Sequence, residues 1–196
     1  MIRILVVDDH PAVRAGLDAV LGSEVDLVAV GAACSSVDLS PLLYRTRPDV
    51  VLLDYHLPRD DGLRVCVKIK AELPPPRVVM YSAYADASLT VPAMLAGVDG
   101  IVHKGAPAHE LVEAVRQVAR GETVLPPLSP DLLTTAGRRL DTDDLPILAM
   151  LVDSTPRADV AAVLGLEPRE LGARINTMIG RLKTEVPVAA PRVLRA

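Results

Sequence analysis

Two apolar runs in this sequence end on carboxylates, a residue type that could bind a cation or act as a nucleophile. The run "VVLLD" ends on Asp54, and "ILVVDD" ends on Asp8 and Asp9. Burying an unpaired charge is costly, so its placement at the end of a buried strand suggests a function. Parallel strands bring their carboxyl ends to one sheet edge, where ligands bind. Three carboxylates there would repel one another, and their hard oxygen atoms suit Mg²⁺.

A simpler interpretation is that Asp8 or Asp9 caps a helix beginning at Pro11. It leaves the other aspartate and Asp54 unexplained. Two further strand ends supply complementary groups, because Ser82 ends "VVMYS" and Lys104 follows "GIVH". Taken alone, Lys104 is equally typical of a solvated surface lysine. We therefore treat these five residues as one candidate site.

The elements that must position these residues alternate between strands and helices over the first 121 residues. Apolar stripes at helical spacing separate the strand candidates, and this alternation predicts right-handed crossovers and a parallel sheet. The expected fold is α/β, a five-stranded doubly wound parallel sheet of the flavodoxin type. The predicted strands are 2–7, 26–33, 49–54, 77–82 and 100–103.

A different pattern follows Gly121. Residues 122–139 are rich in proline and predict a linker with one short helix at 129–136. Residues 140–184 predict a small all-α domain with Asp141 or Thr142, and then Thr155, as helix N-caps. The short "GLE" turn gives two of these helices the dimensions of a helix-turn-helix. Residues 185–196 form a proline-containing tail.

The composition and charge of the chain limit its expected partners and location. The formal charge is −4: residues 1–136 have twelve basic and seventeen acidic groups, hence −5, and residues 137–196 have nine and eight, hence +1. This nearly neutral C-terminal region lacks the clearly basic patch that is usual for DNA binding. A chain with no Phe or Trp and only four Tyr also argues against recognition of single-stranded nucleic acid by base stacking. No apolar run reaches the ~18–20 residues of a membrane span. Two cysteines without metal spacing predict a cytoplasmic protein.

Residues 1–121 resemble a response-regulator receiver domain through "VVDDH", "LLDYHLPRDDG", "YSAY" and "VHKG", in that family's order and spacing. The resemblance implies that Asp54 accepts a phosphoryl group from a sensor histidine kinase. It also implies Mg²⁺ held by Asp8, Asp9, Asp54 and the backbone carbonyl of His56, with Ser82 and Lys104 binding the phosphoryl oxygens. Such a domain is not an enzyme beyond its own phosphotransfer and dephosphorylation.

Residues 140–183 resemble the helix-turn-helix of the NarL/LuxR branch, through "ILAMLVD", "ADVAAVLGL" and "RELGARINTMIGRL". The resemblance implies transcription control through DNA, and it leaves open whether the chain forms a homodimer. The residues that would contact DNA are Arg169, Arg174, Asn176, Arg181 and Lys183.

The sequence departs from the family's pattern at three places. Ile101 replaces the usual switch aromatic, Glu167 and Glu170 put acids on the recognition helix, and two prolines occupy the region of the family's last, dimerising helix. These departures support an alternative, a receiver whose degenerate helix-turn-helix signals by protein contacts instead of DNA binding.

Overall fold

The computed structural model describes residues 1–37, 39–58, 60–83 and 87–183. Two predictions lie outside these residues: the proline-containing tail at 185–196, and the position of Tyr84, which the receiver resemblance predicts beside the path of water to Asp54 together with His56. Among the described residues, no helix combines the length and apolar composition needed to cross a bilayer.

A five-stranded parallel sheet forms the centre of the molecule, with strand order β2-β1-β3-β6-β7. The predicted α/β fold is therefore confirmed. Chain order reverses around β1 and β3, and at this switch point the carboxyl ends of both strands border one crevice. The strands are β1 (Ile2–Val7), β2 (Leu27–Ala33), β3 (Val50–Asp54), β6 (Arg77–Ser82) and β7 (Gly100–His103).

Helices cover both faces of this sheet, which is why β1 and β3 are apolar without alternation. In β1, Ile4 and Val6 face one apolar core, whereas Leu5 and Val7 face the other. The first core is closed by α1 and α5, and the second by α2, α3 and α4. The helices are α1 (Pro11–Gly22), α2 (Leu39–Thr46), α3 (Gly62–Ile69), α4 (Ala87–Ala96) and α5 (Ala108–Ala119).

A two-stranded antiparallel ladder, β4 (His56–Leu57) with β5 (Asp60–Asp61), connects β3 to α3. Asp61 then caps α3, since its Oδ1 accepts a hydrogen bond of 2.9 Å from the Leu63 N–H. This cap fixes the start of α3 directly beside the end of β3.

The C-terminal region is helical, as expected. It comprises α6 (Pro130–Gly137), a 3₁₀ turn (Thr142–Asp144), α7 (Leu145–Val152), α8 (Arg157–Leu164) and α9 (Pro168–Lys183). The expected caps differ in detail. Asp141 precedes the 3₁₀ turn and Pro156 takes the N-cap position predicted for Thr155, in both cases without a side-chain cap hydrogen bond. The turn after α8 relies on Gly165, whose φ is 64°.

The C-terminal helices pack on α4, so the two regions share one apolar core. Helix α4 ("ASLTVPAMLA") carries no charged residue and is apolar except at Ser88 and Thr90, which indicates burial of most of its surface. Its outer face is covered by α6, α7 and α9. The predicted linker at 122–139 contains the expected short helix, α6, which packs against α4, and its Val124 bridges to Gly100 at the sheet edge.

Candidate functional site

Two buried aspartates and one lysine meet at the carboxyl edge of the sheet. Asp8 follows β1 and is 2 % exposed, and Asp54 ends β3 and is 4 % exposed. Lys104 follows β7, and its Nζ lies 2.7 Å from Asp8 Oδ2 and 2.8 Å from Asp54 Oδ2. The structure thus brings together three of the predicted site residues, contributed by three different strands.

The Lys104 ammonium is held in its charged form by these contacts. Burial of its side chain would by itself lower the pKa, but hydrogen bonds from Nζ to Asp54 and Asp8 outweigh burial, and the pKa of Lys104 is raised. An ammonium between two carboxylates is suited to stabilise further negative charge at Asp54.

The acidic residues also suit a divalent cation. Ligand atoms of Asp8, Asp9, His10 and Asp54 all lie within 4.8 Å of one another. Asp9 Oδ1 is buried and accepts no hydrogen bond from the described residues; Nδ1 of His10 lies 2.7 Å away and forms an ion pair with it only when the imidazole is protonated. A buried carboxylate oxygen without a donor is suited to a metal ion, and hard oxygen ligands favour Mg²⁺.

Asp8 does not act as the helix cap that the simpler interpretation required. The N-cap of α1 is His10, which makes no side-chain cap hydrogen bond. Asp8 Oδ1 instead accepts the His10 N–H at 2.8 Å, and Arg14 Nη1 donates to the Asp8 carbonyl at 2.7 Å. These contacts fix the orientation of Asp8 beside Lys104. Sequence reasoning missed Arg14, which lies one turn into α1.

The loop after Asp54 is tightly built. The N–H of His56 donates to Asp54 Oδ1 at 3.3 Å, and the N–H of Gly62 donates to the Tyr55 carbonyl at 2.9 Å. A Cβ on Gly62 would lie 2.4 Å from the Asp54 carbonyl oxygen, so only glycine fits there. The final Gly in "LPRDDG" therefore allows α3 to begin in close contact with the backbone of Asp54. The metal-binding role of the His56 carbonyl stays a prediction.

Ser82 and Lys104 lie at the ends of adjacent strands. Ser82 is fully buried at the end of β6, and its carbonyl accepts the Lys104 N–H at 2.9 Å. His103 joins the two loops, because its Nε2 lies 3.0 Å from the Ala83 carbonyl oxygen and its Nδ1 accepts the Gly105 N–H at 2.9 Å. Sequence reasoning missed His103, whose only signal is its position directly before Lys104.

Ile101, which stands in place of the family's switch aromatic, is buried and packs in the core on the side of α4. Its N–H donates to the Val124 carbonyl at 2.9 Å, so the segment after α5 holds β7 in place. An aliphatic side chain here has no ring that could turn between solvent and core.

Several predicted DNA contacts already have acidic partners within the chain. Arg174 and Arg181 both bind Asp144, at 2.7 Å and 3.0 Å, and Arg181 also binds Asp141 at 2.6 Å. Asp144 is buried, so these pairs hold the 3₁₀ turn against α9. Lys183 pairs with Asp61 at the start of α3. Arg169 is exposed.

Asn176, another of the predicted DNA contacts, faces α3. Together with Ala173 and Thr177 it lines a cleft whose other wall is α3, through Arg64 and Lys68. Its Oδ1 is buried and accepts no hydrogen bond from any residue that the structure describes.

The family model of the response regulator receiver domain matches residues 4–116, more than half of the chain. The chain belongs to the response regulators. It is 25 % identical over 194 residues to the response regulator protein VraR of Staphylococcus aureus, covering 94 % of this chain and 91 % of VraR. This span includes the C-terminal helices.

Two solved structures of response regulators are also similar to this chain. The receiver domain of the response regulator NarL from Mycobacterium tuberculosis is 32 % identical, with a TM-score of 0.58, covering 62 % of this chain and 98 % of that one. A LuxR-family two-component response regulator from Aurantimonas sp. is 27 % identical, with a TM-score of 0.60, covering 72 % and 99 %. The predicted NarL/LuxR-type assignment is confirmed.

A receiver followed by a LuxR-type C-terminal region makes this response regulator a phosphorylation-controlled transcription regulator. The alternative, a chain that acts only through protein contacts, is not favoured by these matches. Receiver domains are in general signalling modules, and they bind Mg²⁺ at an acidic pocket like the one formed here.

Proposed function

We propose that Asp54 is the phosphoacceptor and that a sensor histidine kinase supplies the phosphoryl group. The observation that carries this proposal is the contact of Lys104 Nζ with both Asp8 and Asp54. In support of it, this buried carboxylate at the end of a strand lies beside a positive charge and within a cluster of acidic side chains.

In the reaction, a carboxylate oxygen of Asp54 forms a bond to phosphorus while the P–N bond of the kinase phosphohistidine breaks. Phosphoryl transfer depends mainly on positioning and on neutralising oxygen charge. Lys104 would supply a positive charge to the phosphoryl oxygens, and the Ser82 hydroxyl would donate a hydrogen bond to them. Asp8, Asp9, Asp54 and the His56 carbonyl would hold Mg²⁺, which supplies further charge neutralisation when bound.

The receiver then extends over residues 1–121, and the C-terminal helices at 140–184 are the output. DNA would be contacted through α9, with Arg169, Arg174, Asn176, Arg181 and Lys183 as candidates. Because Asn176 faces α3, this use of α9 requires its separation from the receiver. A homodimer would present two such helices to two half-sites.

Phosphorylation is tested with a small acyl phosphate donor and intact-protein mass spectrometry. We expect one phosphoryl group per chain, only when Mg²⁺ is present, and none in Asp54→Asn. The matched control is Asp60→Asn, since Asp60 is a nearby carboxylate paired with Ser36 and Lys68. Full labelling of Asp54→Asn would show that another residue accepts the phosphoryl group.

DNA binding is tested by titration across a salt series. Each phosphate contact contributes about −0.9 to the slope of log K against log salt, so four contacts by Arg169, Arg174, Arg181 and Lys183 would give about −3.5. While Arg174 and Arg181 keep their acidic partners, we expect a shallower slope. Glu170→Lys should strengthen binding to all sequences alike. Absence of binding even at low salt, with and without phosphoryl donor, would remove DNA from the proposal.

A further inference from the structure

A polar cleft of about 460 Å³ lies between α3 and α9, and none of its lining residues belongs to the site around Asp54. Pockets that bind small molecules usually have volumes of about 300–1,000 Å³, so this cleft has room for a small ligand. We name it the α3–α9 cleft, and it is lined by Asp60, Arg64, Lys68, Ala173, Asn176 and Thr177.

The α3–α9 cleft exists because α9 has small residues where it approaches α3. A Cβ on Gly172 would lie 3.9 Å from Cγ1 of Val67, so the two helices come close together at this point. The next residue, Ala173, has only a methyl group and leaves space between the helices. That space is lined by the polar groups of longer side chains.

One wall of the α3–α9 cleft carries a cation without a partner. Asp60 and Lys68 bind each other, with 3.2 Å between Oδ2 and Nζ, and Ser36 also donates to Asp60. Burial alone would raise the pKa of Asp60, but these hydrogen bonds outweigh burial and the pKa is lowered, so this carboxylate is charged. The Arg64 side chain is exposed and makes no ion pair or hydrogen bond with residues 1–37, 39–58, 60–83 or 87–183. A guanidinium binds an oxyanion through two parallel hydrogen bonds, so Arg64 is suited to one anionic group.

The opposite wall supplies hydrogen-bond acceptors. Oδ1 of Asn176 is buried and lacks a donor within the part of the chain that the structure describes. Thr177 Oγ1 donates to the Ala173 carbonyl at 3.1 Å, which uses its hydrogen and leaves its oxygen able to accept. Buried polar atoms without a protein partner usually bind water or a ligand. These two oxygens therefore suit a ligand that carries donors in addition to its anionic group.

We propose that the α3–α9 cleft binds a small hydroxycarboxylate with the chemistry of a sugar acid, its carboxylate on Arg64 and a hydroxyl on Asn176 Oδ1. The charged side chains of the cleft are Arg64 and Lys68, both positive, and Asp60, negative, so their sum is +1. One carboxylate matches this charge. A phosphate monoester, at about −1.5 to −2, exceeds it, and an ammonium group on the ligand would add to it. The inference goes beyond the proposed function and does not rest on it.

Binding is measured on the full chain by titration calorimetry, with gluconate as the probe. Sorbitol has the same number of carbons and hydroxyl groups without the carboxylate, and hexanoate has the carboxylate without hydroxyls. We expect sorbitol to bind at least about tenfold more weakly than gluconate, because it lacks the charged hydrogen bonds to Arg64. Hexanoate should bind about three- to tenfold more weakly, because it has no donor for Asn176. Glycerate and threonate extend the series to shorter hydroxycarboxylates, and glycerol 3-phosphate tests the preference for a carboxylate.

Two variants test the assigned contacts. Arg64→Met removes the guanidinium from an exposed position and should weaken gluconate binding at least about tenfold. Arg138→Met, which changes an exposed arginine just after α6, is the matched control and should leave binding unchanged. Asn176→Leu keeps a similar side-chain volume and should weaken gluconate about three- to tenfold while leaving hexanoate binding the same. Its thermal unfolding midpoint should be no lower than that of the natural chain, since the change removes an unsatisfied oxygen.

The proposal is overturned if glycerate, threonate and gluconate all fail to bind, or if sorbitol binds as tightly as gluconate. It is equally overturned if Arg64→Met binds gluconate like the natural chain, or if glycerol 3-phosphate binds more tightly than every hydroxycarboxylate. If Asn176→Leu does not fold, Arg64→Met still decides. None of these measurements reads phosphorylation of Asp54 or DNA binding, so failure here leaves the proposed function intact.

Discussion

Replacing Lys104 with methionine should destabilise the protein more than its partial exposure suggests. Its Nζ donates to two carboxylates that are almost completely buried, Asp8 and Asp54. A hydrogen bond to a charged group contributes about 1.5–3 kcal/mol, so two contribute about 3–6 kcal/mol. The Lys104 side chain is 17 % exposed, and water could partly replace it, so we expect a loss of about 2–4 kcal/mol.

The loss is measured by urea unfolding followed by far-ultraviolet circular dichroism, because the chain has no tryptophan. In thermal unfolding, the same loss corresponds to about 5–15 °C for a chain of this length. The matched control is Lys68→Met. Lys68 is 66 % exposed and has a single carboxylate partner at 3.2 Å, so its loss should be below about 1 kcal/mol.

Two further measurements separate charge from packing. If Lys104 stabilises the fold by neutralising Asp54, Lys104→Met should lower the free energy of unfolding less in an Asp54→Asn background than in the natural chain. Added Mg²⁺ should also stabilise Lys104→Met more than it stabilises the natural chain. The pKa of Lys104 is raised in the folded protein. The stabilisation from Lys104 is therefore complete at pH values below the pKa of an unfolded lysine, near 10.5, and is lost as the pH rises through the pKa of Lys104 in the folded protein. Equal losses for Lys104→Met and Lys68→Met would refute this reasoning.

Two other predictions concern residues around Asp54. Gly62→Ala should destabilise the fold by about 3 kcal/mol or more, because the added Cβ would lie 2.4 Å from a backbone oxygen. Gly16→Ala is the control, since Gly16 has open space around it in α1 and the change should be neutral or stabilising. Unfolding followed by circular dichroism measures both changes in stability. His56 and Tyr84 should shield the acyl phosphate from water, so replacing both with alanine should speed its loss, measured by mass spectrometry; an unchanged rate rejects shielding.

Sequence reasoning predicted the sheet well because each strand is a short apolar run with a clear end. Strands Ile2–Val7, Arg77–Ser82 and Gly100–His103 begin and end as expected, and the other two differ by one residue at the start. The pairing of Asp8 and Asp54 with Lys104 followed from the topology, since parallel strands place their carboxyl ends together.

The local details were less predictable because they depend on side-chain geometry. Thr155 fits the usual preference for an N-cap, yet the chain enters α8 through Pro156. His103 and Arg14 orient groups around the site by contacts with backbone carbonyls, and such contacts leave no periodic signal in a sequence.

The packing of α9 on the receiver was missed although the sequence contains a signal for it. Residues 87–96 have no charged side chain, so α4 had to be covered on its outer face as well as against the sheet. Burial of that face favours the packed arrangement. Asn176 opposes it, because an unsatisfied buried oxygen costs about 1–3 kcal/mol. Both contributions arise where the C-terminal helices pack on the receiver, so Asn176 offsets part of the stabilisation that burial of α4 provides.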